Sequence, residues 1–221
     1  MSQELEELPL FPLNTVLFPY ASLQLHVFED RYRQMVRLCM EEDRPFGIVL
    51  IRSGTETGEA DPYMVGTAVR IVKVHDLEDG AMDIQVHGER RFRIRRFDES
   101  RPFLVGMVEP VVELEIEESD RASDMLSRAR EDFVHFVQRL LRRQDFNVKV
   151  AVSQDPVVLS FTIANMLPIE NLAKQRLLET TDTLERVEEL IPILETELLE
   201  SKTPTFYRVG QRELQEWIHP N

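Results

Sequence analysis

Three prolines, Pro9, Pro12 and Pro19, interrupt an otherwise apolar, strand-like run that begins at Leu8, and at Phe28 the same run turns to helical periodicity. Proline has no amide hydrogen to give to a β-ladder and is kept to strand starts, edges and bulges. The stretch therefore reads as short, bent edge strands turning round a compact sheet. Phe28, Tyr32, Met35, Val36 and Cys39 then recur at steps of four, three, one and three, which predicts an amphipathic helix from Glu29 to about Glu42 that stops before Pro45.

Strand signals resume after this helix. FGIVLI, from Phe46 to Ile51, reads as a buried strand, and the polar stretch from Arg52 to Tyr63 as an exposed loop. β character returns at Gly66, and Asp79-Gly80 supplies a hairpin turn ahead of Met82, Ile84 and Val86, which alternate with polar residues. In the next strand Phe92 and Ile94 take one face and Arg91, Arg93 and Arg95 the other. FLVGMVEP and VVELEIE follow, the latter alternating Val112, Leu114 and Ile116 with Glu113, Glu115 and Glu117. Strands this short and numerous predict a small antiparallel barrel or sandwich over residues 1–118.

Beyond Ser119 the period changes to 3.6. Ala122, Leu126, Ala129, Phe133, Phe136, Val137 and Leu140 predict a helix from about Arg121 to Arg143. Asp155-Pro156 caps a second helix that Pro168 ends near Leu167, ENLAKQRLLET is a third, and Asp182 with Glu185 opens a fourth as a capping box. Pro192 should kink that fourth helix. Residues 119–200 thus read as a helical bundle, and 201–221 as a tail carrying Phe206, Tyr207 and Trp217.

The formal net charge of -14 disfavours a nucleic-acid partner, because affinity for phosphate backbones comes mostly from Lys and Arg. Both halves share the acidity: residues 1–118 hold 13 basic and 23 acidic side chains, residues 119–221 hold 13 and 17. The acidic start MSQELEELPL has no apolar core, and no stretch approaches about 18 apolar residues, so neither signal peptide nor membrane span is expected and the cytoplasm is the expected location. The one cysteine, Cys39, falls on an apolar helical stripe and reads as a buried, inert thiol.

No catalytic motif emerges. G-x-x-x-x-G-K-[ST], G-x-G-x-x-G, G-x-S-x-G, H-E-x-x-H and Cys-x-x-Cys are all missing, and the five histidines are scattered, so no cofactor, metal or catalytic residue is expected. Ser160 and Lys174 form a conceivable dyad only at a spacing that matches nothing defensible. The cluster Arg90, Arg91, Arg93, Arg95 and Arg96 has two readings, an anion or RNA patch on the barrel or cross-strand pairing with Glu113, Glu115 and Glu117, and the shared period of two favours pairing.

Five segments in order, LPLFPLNTVLFPYASLQLHVFEDRYRQMV, MVGTAVRIVKV, DGAMDIQVHGERRFRI, FLVGMVEP and ANMLPIENLAKQRLLETTDTLERVEEL, resemble the signatures of the Lon protease amino-terminal, or substrate-binding, domain family from about Leu8 to Glu200. The resemblance implies an α+β fold, a PUA-like antiparallel pseudo-barrel with one inserted helix followed by an α-helical bundle. It also implies recognition of unfolded or specific polypeptides. The sequence ends at Asn221, before any ATPase or Ser-Lys protease module, so the expectation is a non-catalytic binding or adaptor module and not an enzyme. It would act on polypeptides or beside a separate ATPase or protease, with self-association compatible, membrane binding not expected and a PUA-like RNA-binding role as the alternative. Leu17, Phe18 and Tyr20 are the candidate polypeptide-binding residues, against a reading as plain core, and Phe206, Tyr207 and Trp217 the candidate docking or partner tail.

Overall fold

The computed structural model describes residues 5–78, 80–98, 100–142 and 152–199. Their strands are β1 (Glu6–Leu13), β2 (Ser22–Val27), β3 (Phe46–Gly54), β4 (Ala60–Pro62), β5 (Val65–Asp76), β6 (Met82–Asp98) and β7 (Val105–Pro110). Their helices are α1 (Asp30–Glu41), α2 (Asp120–Arg142), α3 (Pro156–Met166), α4 (Asn171–Glu179) and α5 (Thr183–Leu199). Packing divides the chain into two compact units, Met1–Val112 with Asn171–Glu179, and Glu113–Glu170 with Thr180–Asn221.

In the first unit the strands run β1, β7, β6, β5, β3, and β3 pairs back on β1, so five strands close on themselves. The closing pair is parallel, from Leu10 opposite Gly47 to Leu13 opposite Leu50, while the other pairings are antiparallel. This closure accounts for Pro9, while Pro12 lies within the β3 pairing opposite Val49 and Pro19 in the β1–β2 connection. Strand β1 changes partner at Pro9: Glu6–Pro9 lie along β7 and Leu10–Leu13 along β3, so an interrupted ladder falls where the chain leaves one neighbour for the next. Leu8, Leu10, Val49, Ala68, Phe92, Ile94 and Val108 fill the barrel.

A second apolar cluster lies under α1. Tyr32, Met35, Val36 and Cys39 pack on Met82, Ile84 and Val86 of β6, and the Phe11 ring stacks on Tyr32 with centroids 4.1 Å apart. Phe28, expected on this stripe, precedes the N-cap Glu29 and is exposed, its ring stacked on His26 instead. The helix ends in a Schellman motif: Arg44 N–H donates to Cys39 O at 3.0 Å and Asp43 N–H to Met40 O at 3.4 Å, with Asp43 left-handed at φ 45°.

The long strand β6 serves two sheets in succession. Met82–His87 lie between β2 and the outer half of β5, and from Arg90 onward the strand lies between the inner half of β5 and β7. The changeover is Gly88, whose N–H donates to Ala21 O and whose carbonyl accepts Tyr20 N–H, each at 2.8 Å. The expected strand over 111–117 is absent, and with it the ladder pairing Arg91, Arg93 and Arg95 with Glu113, Glu115 and Glu117. The reason is that both edges of β6 are already taken there, Arg93 lying opposite Val65 on one side and Glu109 on the other.

Helix α4 was expected with the other helices but belongs to the barrel unit. Gln175 Nε2 donates to Val65 O at 3.0 Å, Arg91 Nη1 to Leu178 O at 2.6 Å, and Asn171 Nδ2 to Asn14 O at 2.5 Å. In the second unit α3 is buried nearly all round, as an almost wholly apolar helix must be. The cap Asp155 accepts Val157 N–H at 2.8 Å and Val158 N–H at 3.1 Å, and Asp182 caps α5 the same way through Leu184 and Glu185. Helix α5 continues through Pro192. Ion pairs Arg121–Glu188 and Arg128–Glu195, one heptad apart, join α2 to α5 in parallel.

Candidate functional site

The candidate residues of the β1–β2 connection separate by burial. Leu17 is 4% exposed and Phe18 fully buried, so both are core side chains and present no surface to a ligand. Thr67 Oγ1 donates to Leu17 O at 2.6 Å and holds the connection down. Tyr20, left-handed at φ 67°, is 38% exposed. Phe206, Tyr207 and Trp217 lie outside the described residues.

The arginine cluster is largely engaged. Arg91 is 3% exposed, its guanidinium spent on the end of α4. Arg90 pairs with Glu6, and Arg95 with Glu109 at 2.5 Å, which holds the Glu109 carboxyl below the usual range. Phosphates would have to displace these carboxylates.

Nucleophiles are similarly occupied. The buried Ser160 hydroxyl donates to Val157 O at 2.8 Å and accepts Arg186 Nε–H at 2.9 Å. Arg186, also buried, reaches Thr180 O at 2.6 Å, Glu113 Oε2 at 3.0 Å and Thr183 Oγ1 at 3.1 Å, with its guanidinium 4.0 Å from the Phe161 ring centroid. Burial lowers the pKa of this guanidinium and Glu113 opposes that shift. Cys39 is buried, and burial pushes its thiol up to about 11, leaving little thiolate at neutral pH. Among the described residues no group of three or more His, Cys, Asp or Glu side chains is placed to hold a metal ion.

What the first unit does offer is an open strand edge beside a cleft whose walls mix apolar and charged side chains. Strand β3 pairs with β5 only from Phe46 opposite Val69 to Ile48 opposite Thr67, whereas β5 runs on along β6 to Asp76. Among the described residues no strand pairs with the other edge of β5 beyond Val69. The lane that β3 would occupy had it begun earlier is a cleft of about 340 Å³ between the end of α1 and β5. Met40, Asp43, Arg70, Ile71, Val72 and Lys73 are among its walls. Met40 is 49% exposed and Val72 50%. Arg70 is shared by Glu89 at 2.7 Å and Asp43 at 3.0 Å. Sequence reasoning missed this place. The signal available was the unbroken strand pattern of β5, longer than any partner that a three-residue pairing with β3 supplies.

Residues 7–196 match the family model of the ATP-dependent protease La (LON) substrate-binding domain. The chain is 26% identical over 216 residues to Lon protease 2 of Bdellovibrio bacteriovorus, covering 94% of this chain and 27% of that protein. It is 29% identical over 220 residues to Lon protease of Heliobacterium modesticaldum, covering 95% and 26%. The chain thus spans about a quarter of the length of these curated relatives. Among solved structures, a Lon N-terminal domain protein from Xanthomonas campestris superposes with a TM-score of 0.59 at 28% identity, over 85% of this chain and 98% of that one. The N-terminal domain of Mycobacterium avium complex Lon protease superposes with a TM-score of 0.66 at 21% identity, over 86% and 98%, and bears on the fold alone.

Proposed function

This chain belongs to the LON substrate-binding domain family, and we propose that it is a non-catalytic polypeptide-recognition module that captures unfolded or specific segments. The observation that carries the reading is the open edge of β5 beside a cleft with apolar side chains Met40, Ile71, Val72 and Val74 in its walls, because extended polypeptide is the ligand that satisfies a strand edge and buries side chains at once. The engaged Ser160 hydroxyl and the buried Cys39 agree with binding without bond cleavage. A second reading, action beside a separate ATPase or protease, is favoured by the relatives, which are Lon proteases. RNA binding is the competing class; the net charge of -14 and the carboxylate partners of Arg90 and Arg95 speak against it.

The test is a titration of the purified chain against a labelled, permanently unfolded polypeptide, its native counterpart and a structured RNA across a salt series. Saturable capture of the unfolded form alone supports the proposal. RNA binding that falls steeply with salt, without capture of polypeptide, overturns it. Addition of a Lon-type ATPase–protease lacking its own amino-terminal domain separates the adaptor reading from isolated binding: restored degradation of the captured polypeptide supports cooperation.

A further inference from the structure

We propose that the β5 edge at Arg70–Val74 takes a partner polypeptide as an added antiparallel strand in the continuation of the β3 lane, and that it selects segments alternating apolar and acidic side chains. The inference rests on the reading of this chain as a polypeptide-binding module and supplies its mode and its preferred ligand.

Over Thr67–Val69 strand β5 has a neighbour on each side, and beyond Val69 it has only β6. Its outer N–H and C=O groups are thus presented along a line already set in direction and spacing by β3. Helix α1 ends at Glu41, and the left-handed Asp43 with Pro45 turns the chain so that pairing starts only at Phe46. The lane ahead of Phe46 is therefore left as cleft. Its volume of about 340 Å³ falls at the lower end of ligand-binding pockets, which run from about 300 to 1,000 Å³.

Side chains then set the preference. The register of β5 on β6 slips between Ile71 and Lys73, so Val72 is the extra residue of a bulge. Ile71 and Val74 pack on the α1 cluster, while Arg70, Val72 and Lys73 are exposed. A guest strand has a side-chain period of two. Its inward positions meet Met40 and Ile71, and its outward positions meet Val72 and Lys73. Among the described residues Lys73 makes no ion pair, whereas Arg70 is already engaged by half-buried Glu89 and exposed Asp43. Within a chain of net charge -14 Lys73 places a cation at this edge, which matches acidic outward residues on the guest.

The bulge and Lys73 are also the devices by which proteins blunt sheet edges against pairing with their own copies. Two β5 edges brought together would bring like charges into the same narrow lane. An acidic guest removes that repulsion, so the same residue that discourages self-pairing selects a partner.

The experiment uses the full chain and blocked, labelled peptides of about nine residues: one alternating Leu and Glu, one alternating Leu and Lys, and two Leu/Glu versions N-methylated at alternate amides, in opposite registers. The Leu/Glu peptide should bind ~3- to 10-fold tighter than Leu/Lys, and only one of the two N-methylated peptides should lose binding by ~10-fold or more. Lys73→Glu should reverse the Glu/Lys preference, and Val72→Asp should weaken the Leu/Glu peptide with the melting temperature unchanged. Equal binding of both N-methylated peptides overturns strand addition. Capture of unfolded polypeptide that V72D and K73E leave intact overturns this site while the recognition reading stands. Failure to capture any polypeptide defeats the recognition reading and this inference together. A dimer of the wild type that V72D dissociates assigns the edge to a second copy and overturns the partner assignment.

Discussion

Arg91 on β6 donates from Nη1 to the carbonyl of Leu178 across 2.6 Å, binding the end of α4 to the barrel with a side chain only 3% exposed. A cation at a helix C-terminus meets carbonyls that no further turn can satisfy, and the negative end of the helix dipole favours it. Arg91→Met keeps most of the aliphatic stem but leaves the Leu178 carbonyl without this donor, at a cost of about 1–3 kcal/mol. Arg96→Ala, on the exposed part of the same strand, should stay within about 0.5 kcal/mol of wild type. Chemical denaturation of the two variants checks the contrast.

Gly88 is tied to the β1–β2 connection by two backbone hydrogen bonds, to Ala21 and Tyr20, and a Cβ there would stand 2.5 Å from the Phe18 carbonyl oxygen. Because the obstacle is backbone, Gly88→Ala should destabilise by about 1–3 kcal/mol, read as a lowered denaturation midpoint.

Asp43 occupies the left-handed position that closes α1, with φ 45°. Glycine takes that conformation without a Cβ penalty, and the Asp43 pair with Arg70 is exposed. Asp43→Gly should therefore stabilise the chain by about 0.5–1 kcal/mol in denaturant titrations. It also removes an acid from the wall of the β5 cleft, so acidic peptides should bind more tightly.

Stability should fall at both ends of the pH range. Arg52 lowers Asp61 below 3.8, Ser100 N–H lowers Asp98 below 3.8 and Arg95 lowers Glu109 below 4.5. A carboxyl lowered on folding adds stability above its unfolded value and loses it as pH falls through the folded value, so this contribution fades below about pH 4. Cys39 is raised from 9.0 to about 11, so the unfolded chain loses that proton first and stability declines as pH climbs from 9.0 towards 11. Melting curves of wild type and Cys39→Ala across that alkaline window should differ in slope, and the wild-type thiol should resist alkylation at pH 8 until the chain unfolds.

Much of the fold was legible because local chemistry dictates it. Asp155-Pro156 and Asp182 announced two helix starts, the 3.6 period announced α1 and α2, and the prolines of β1 announced a strand that breaks its ladder. What stayed hidden depends on who pairs with whom. Val112, Leu114 and Ile116 alternate as a strand would, yet no lane is left for them because β5 and β7 flank β6 there. Arg91 alternates with Phe92 as an outward residue would, yet α4 returns from eighty and more positions downstream in sequence to cover it. Leu17 and Phe18 look alike as ligand contacts and as core, and only burial separates these roles. The β5 cleft exists because β3 starts late, a matter of register that periodicity does not encode.

The most direct test of the central claim is the anisotropy of a labelled, permanently unfolded polypeptide titrated with the full chain. Saturable binding is expected, with a Kd on the order of micromolar, weakened a few-fold but not abolished by moderate salt, absent for the native counterpart and competed by the Leu/Glu peptide. No rise in anisotropy at concentrations well above that range, or a rise seen equally with native protein, would contradict it.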